Sequence, residues 1–235
     1  MKIVLVSENI SPKMERTLRL FGYEPFLLPS LDLLPKAIRS HPDTLIFRHE
    51  DTLVTSADYC ERAGYVFSDI REWTDIIIKV SSDEPGDKYP DDCIYNALAT
   101  DKYLFCRRAG VSQAILSLAE ERGLTVVNVK QGYPACSACA YNGTMISSDE
   151  GLLLAAQGVG LRTFKIQAGH ISLPPYEYGF IGGASGIADG RLYFFGDYKA
   201  HPSASVIEDG ARSMGLEPVS LSDEPLADLG GMIFL

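Results

Sequence analysis

Positive charge is scarce in this sequence: 21 Lys and Arg stand against 31 Asp and Glu, for a net charge of −10. Such a surface repels phosphate backbones and anionic lipid, so nucleic acid is not an expected partner. Long apolar runs are missing as well. The N-terminal Lys2-Ile3-Val4-Leu5-Val6 turns polar at Ser7-Glu8-Asn9, and no stretch approaches the ~20 apolar residues that cross a bilayer. The expectation is a soluble chain with no signal peptide and no membrane partner. Cysteine is sparse and odd in number, five in 235 residues. That does not suit a secreted disulfide framework and points to a reducing, cytoplasmic compartment. Against these shortages, 46% of the residues are apolar, which excludes disorder and supplies an ample core.

What is present is repetition. Five times a mixed polar and apolar segment ends in glycine followed by a large apolar or aromatic residue: Gly22-Tyr23, Gly64-Tyr65, Gly123-Leu124, Gly160-Leu161 and Gly215-Leu216. Each junction reads as a helix C-terminus, where glycine takes the left-handed conformation and the next residue packs back on the last turn. The helices before them carry apolar stripes. Met14, Leu18 and Phe21 form one behind Ser11-Pro12, and Val111, Ile115, Leu118 and Ala119 form another. Leu152 to Ala156 makes a shorter helix, and Val206, Ile207 and Met214 follow Pro202.

Paired extended runs precede these helices at Thr44 to Val54, Ile94 to Cys106, Cys139 to Ser147 and Ala184 to Phe195. Polar turns divide them, and Asn142-Gly143 and Asp189-Gly190 are the strongest hairpin signals because both residues accept positive φ. The unit is strand, hairpin, strand, helix, strand. Four units are complete. Gly230 to Leu235 reads as the first strand of a fifth, and Lys2 to Leu28 as its remainder, so the termini share one unit and leave no free sheet edge. Ser81 to Asp92 is the one long loop, an insertion rather than a linker, and residues 1–235 are expected to form a single domain.

Five such units resemble the pentein fold, the five-bladed α/β propeller of guanidino-group-modifying enzymes, with pseudo-fivefold symmetry and a last blade closed by both termini. His41-Pro42-Asp43-Thr44-Leu45-Ile46-Phe47 followed by Glu50-Asp51-Thr52-Leu53-Val54 is similar to the first blade of dimethylarginine hydrolases. Cys93-Ile94-Tyr95-Asn96 resembles another blade entrance, and Cys136-Ser137 ahead of Met145 to Glu150 resembles the blade that carries the catalytic histidine.

The resemblance implies a thiolate that attacks a guanidinium carbon, a histidine that moves protons and carboxylates that hold the planar cation. Asp43 stands in the carboxylate position, where capping of strand-end N–H groups is an equal reading. The histidine position falls on Gln131, which can orient a ligand but not shuttle protons. His41 and His201 precede prolines and read as structural. The thiol position after the last Gly-Gly is empty, because Gly230-Gly231-Met232-Ile233-Phe234-Leu235 holds no cysteine. Cys136 is a displaced candidate nucleophile, with Lys130 nearby in sequence, set against the plainer reading of a buried inert thiol.

The C-x-x-C formed by Cys136 and Cys139 leads into a hairpin rather than a helix, and Cys60, Cys93 and Cys106 supply no second pair, so no metal and no cofactor are expected. Gly179 to Gly186 lacks the Lys-Ser/Thr of a phosphate loop. Tyr176 and Tyr178, after Pro174-Pro175, mark a surface loop or rim.

The expected function is the binding of a small polar, guanidino or amino-acid-like ligand on the propeller axis through Asp43, Asn96, Gln131 and Ser185, without the usual Cys/His mechanism. The alternatives are a non-enzymatic protein-interaction factor and a hydrolase of guanidino C–N bonds that uses Cys136.

Overall fold

The computed structural model describes residues 2–235. Its first unit runs β1 (Lys2–Ser7), α1 (Pro12–Leu20) and β2 (Tyr23–Leu28). The second holds α2 (Pro42–Leu45), β3 (Ile46–His49), β4 (Thr52–Ser56), α3 (Ala57–Arg62), α4 (Gly64–Trp73) and β5 (Ile77–Ser81). The third is β6 (Leu98–Ala99), β7 (Tyr103–Cys106), α5 (Gln113–Glu121) and β8 (Thr125–Asn128). The fourth is α6 (Pro134–Ser137), β9 (Ala138–Tyr141), β10 (Thr144–Ser147), α7 (Glu150–Gly158) and β11 (Arg162–Lys165). The fifth is β12 (Ser185–Ala188), β13 (Arg191–Phe194), α8 (Ala204–Met214) and β14 (Glu217–Ser220), after which β15 (Ile233–Phe234) returns to β1.

These strands form five three-stranded sheets of one pattern. In each, the middle strand pairs antiparallel with a hairpin partner and parallel with the strand that follows a helix, as in β3-β4-β5. Two of the hairpins turn on a pair of residues at positive φ: Asn142 at 45° with Gly143 at 71°, and Asp189 at 48° with Gly190 at 73°. A helical crossover lets the third strand run parallel. In the sheet β15-β1-β2 the hairpin partner comes from the other end of the chain, with Val4 opposite Phe234 and Leu5 opposite Ile233.

Side chains alternate across each middle strand, and every middle strand feeds two different cores. Ile3 and Leu5 of β1 join Leu53 of β4, whereas Val4 and Val6 join Tyr193 and Phe195 on and just after β13. Val54 of β4 packs with Leu104 and Cys106 of β7, Phe105 with Met145 of β10, and Ile146 with Leu192 and Phe194 of β13. Five apolar clusters thus link the first sheet to the second, the second to the third, and so on until the fifth meets the first.

Four of the five expected glycine stops hold, with φ between 69° and 87° at Gly22, Gly123, Gly160 and Gly215. Gly64 does not. It opens α4 behind a short α3, at ordinary φ, and the helical segment runs on to Trp73, where Val66, Phe67 and Ile70 supply the buried face. The apolar face beyond the glycine carries the helix through it. Among the described residues no helix is long and apolar enough to cross a membrane.

Candidate functional site

Each hairpin strand is preceded by a short approach segment, and several of these segments converge. Two are single helical turns opened by proline, α2 at Pro42 and α6 at Pro134; a third is the turn at Asp91–Cys93. They bring together side chains far apart in sequence. The Cys136 thiol donates to Asp43 Oδ2 at 2.6 Å across 93 residues, and the Asn96 amide Nδ2 lies 3.4 Å from the same sulfur. Asn96 Oδ1 accepts from the Ala135 N–H at 2.8 Å, so both ends of this amide fix the turn that carries Cys136.

His41 and Asp228 complete the group. The His41 Nδ1 is 3.7 Å from Asp228 Oδ1, and both side chains are buried. Asp228 is held from behind by the N–H groups of Phe180 at 2.9 Å and Gly230 at 3.1 Å. One donor atom from each of His41, Cys136 and Asp228 lies within 4.8 Å of the others, a spacing that could hold a metal ion.

Burial governs the protonation of this cluster. It pushes Asp228 up to about 7, against the pull of its two N–H donors, and drives His41 down to about 4. Near neutral pH the pair is therefore a neutral imidazole beside a carboxyl rather than a strong ion pair. Burial, reinforced by the Asp228 charge, raises Asp43 well above the usual carboxylate range. Burial and the charges of Asp43 and Asp228 raise the Cys136 thiol well above its ordinary value. Lys130 is exposed, and the thiol is not activated in the manner its sequence neighbour suggested. No lysine or arginine is buried among the described residues.

Three cavities border the cluster. One of about 650 Å³ reaches only His41 and Asp228, from the side of Asn9 and Pro174-Pro175. Of the other two, the larger, about 560 Å³, has Cys136, His41 and Asp228 in its wall together with Asp92. Tyr89, Tyr133, Tyr176, Tyr178 and Phe180 supply aromatic surface, and Asp87 and Glu177 add acid at the side, with Lys88 the one lysine or arginine among its described lining residues. Asp92 is buried, its Oδ1 has no hydrogen-bond partner, and burial raises its carboxyl, offset by the Tyr133 hydroxyl. The smaller cavity, about 200 Å³, lies against Asp43, Ser185 and the backbone of Gly230 and Gly231.

The structure therefore separates the residues picked from the sequence. Cys136, Asp43 and Asn96 meet, but only Cys136 faces the larger cavity; Asp43 and Asn96 hold it in place. Ser185 borders the smaller cavity, its hydroxyl 3.4 Å from the Gly182 carbonyl. Gln131 borders neither: its amide donates to Asp149 Oδ2 at 2.9 Å and accepts from the Tyr133 N–H at 3.1 Å, which fixes the loop before α6. His41 was read as structural because proline follows it, yet that proline opens the turn that aims the imidazole inward. Asp228 and Asp92 were missed. The Asp91-Asp92 pair heading Cys93-Ile94-Tyr95-Asn96 was the available signal for the second, and Asp228 had none beyond its place before Gly230-Gly231.

Comparison with known proteins agrees with this arrangement at the level of the fold. A cysteine-to-serine variant of dimethylarginine dimethylaminohydrolase from Pseudomonas aeruginosa, complexed with citrulline, superposes with a TM-score of 0.59 at 8% identity, covering 94% of this chain and 92% of that one. A putative arginine deiminase from Porphyromonas gingivalis gives 0.53 at 13% identity over 100% and 95% of the two chains. SxtG, an amidinotransferase of the saxitoxin pathway from Microseira wollei, gives 0.52 at 10% identity over 94% and 88%. These are pentein-superfamily folds, and this chain shares their α/β architecture of five small sheets. No curated protein matches the chain. The sequence model of a family of unknown function, DUF6873, matches residues 5–233, and the chain belongs to that family.

Proposed function

We propose that the larger cavity binds a small cationic ligand of the guanidino or amidino class, held by the carboxylates of Asp92 and Asp228 and stacked on the tyrosine walls. The observation that carries this reading is the Asp92 carboxylate, buried in the cavity wall with one oxygen unpartnered. A buried acid without a partner is costly, and a planar cation that donates paired hydrogen bonds removes the cost. Aromatic faces add attraction for the same cation, and guanidinium stacks on them better than ammonium does. Four carboxylates against one lysine around the cavity give it the matching sign.

This reading takes residues 1–235 as one domain whose five sheets stand as blades around a pseudo-fivefold axis, closed where β15 joins β1. The cyclic order of the five apolar clusters supports it. The fold neighbours, which act on or bind guanidino compounds by their descriptions, support the ligand class.

A thermal-shift series on metal-free protein tests the proposal. Agmatine and arginine are expected to raise Tm, whereas citrulline, whose ureido group is neutral, is expected to raise it less. Ligand at a hundredfold excess over Kd adds about 2.7 kcal/mol, or roughly 5–10 °C for a chain of this size. No shift with any cation, or an equal shift with citrulline, contradicts the proposal.

One observation favours a second reading, hydrolysis through Cys136: its sulfur lies within 4.8 Å of the His41 imidazole and both line the cavity wall. A haloacetamidine is then expected to alkylate Cys136 in the native protein and agmatine to block it. Reaction only after denaturation contradicts this second reading and leaves ligand binding without covalent chemistry.

A further inference from the structure

The three donor groups beside the cavity differ in chemistry yet converge. A thiol, an imidazole and a carboxyl are the donor types that zinc-class ions take. Here they come from three separate segments: His41 just before α2, Cys136 within α6, and Asp228 on the approach to β15. No local turn forces them together. Two glycines make room for them. A Cβ at Gly183 would strike the Asp228 carboxylate, and one at Gly230 would strike the His41 side chain.

A second observation is independent of the clustering. His41 Nδ1 is buried and has no hydrogen-bond partner, with the nearest carboxylate oxygen 3.7 Å away, beyond bonding distance. Enclosing a nitrogen in this way is unfavourable unless something binds it. The groups around the donors also have the form of an outer shell. The Phe180 and Gly230 N–H groups orient Asp228, and the Asn96 amide reaches Cys136.

We infer that His41, Cys136 and Asp228 form a binding site for a thiophilic divalent transition-metal ion of the zinc class, with its fourth coordination position open to the larger cavity. Tetrahedral bonding to such an ion would bring the donor atoms to separations of about 3.3–3.6 Å, closer than the 4.8 Å within which they now lie. Binding forms a sulfur–metal bond and breaks the S–H bond, whose proton passes to Asp43 Oδ2 at 2.6 Å. The thiolate and Asp228 together neutralise the ion, which leaves the Asp92 carboxylate and the tyrosine walls to hold an organic cation beside it.

The inference shares the cavity of the proposed function but does not rest on it, and its test has its own readout. Full-length protein, reduced and cleared of metal with a chelator, is titrated with Co²⁺ and followed by absorption spectroscopy. One Co²⁺ per chain is expected, with a thiolate-to-cobalt charge-transfer band that Zn²⁺ bleaches by displacement. Cys136→Ser is expected to abolish the band and Cys139→Ser to keep it; both are near-isosteric, so folding does not decide the result. His41→Ala and Asp228→Asn are each expected to weaken Co²⁺ binding tenfold or more. Absence of a thiolate band in the wild type, or a band that survives Cys136→Ser, overturns the inference. The guanidino series runs on chelated protein by melting temperature, so either reading can fail while the other stands.

Discussion

A Gly182→Ala variant will melt roughly 6–12 °C below the wild type, corresponding to a loss of about 3 kcal/mol. The reason is backbone, not side chain. A Cβ at this position would sit 2.5 Å from the Ala138 carbonyl oxygen and 2.7 Å from that of Cys136, and would press still closer on that of Ala135. These carbonyls belong to α6 and the start of β9 and have no room to retreat. Next to it, the Gly183 N–H donates to the Cys136 carbonyl at 2.8 Å, and the Gly183 carbonyl accepts from the N–H groups of Leu229 and Gly231 at 3.0 and 2.7 Å. The 182–183 backbone thus ties the turn carrying Cys136 to the segment carrying Asp228. Gly158→Ala is the control: it ends α7 in open space, so its change stays within about 1 kcal/mol. Melting followed by circular dichroism measures both, and a Gly182→Ala transition within 2–3 °C of the wild type would show that this contact is not rigid.

An Asp92→Asn variant will bind the preferred guanidino ligand about 10–100-fold more weakly, the loss of a hydrogen bond to a charged group being worth roughly 1.5–3 kcal/mol. The same change will not lower the melting temperature of the free protein. Asp92 Oδ1 has no partner to lose, and burial already disfavours its charge. Binding and stability therefore move independently, as they do where a side chain is kept for a ligand rather than for packing. Isothermal titration beside a melting curve measures both. Equal affinity in variant and wild type would remove Asp92 from the site, and a fall in Tm would make its role structural.

The fold was legible because its signals are local. Asn142-Gly143 and Asp189-Gly190 must turn, since these residues accept the positive φ that a two-residue hairpin needs. Gly22, Gly123, Gly160 and Gly215 stop helices for the same reason. Gly64 shows the limit of such reasoning, because a glycine marks a helix end only where the apolar stripe also ends, and here Val66, Phe67 and Ile70 continue it.

The site was legible only in part, because its contacts are not local. Cys136 drew attention through its own chemistry, and Asp43 through the blade resemblance. That the two are hydrogen-bonded across 93 residues follows from the way the approach segments converge, which no spacing encodes. Cysteine spacing gives no sign of the Cys136, His41 and Asp228 cluster for the same reason: each comes from a different approach segment, one donor apiece. Gln131 fitted a counted interval from Cys136, but the loop turns its amide toward Asp149 and away from the cavity.

A crystal structure with the tightest-binding member of the guanidino series tests the central claim most directly. The guanidinium is expected in the larger cavity, its N–H groups about 2.7–3.2 Å from the carboxylate oxygens of Asp92 and Asp228 and its plane against a tyrosine ring. A ligand bound elsewhere on the surface, or in the cavity with its charged end turned away from both carboxylates, would contradict it.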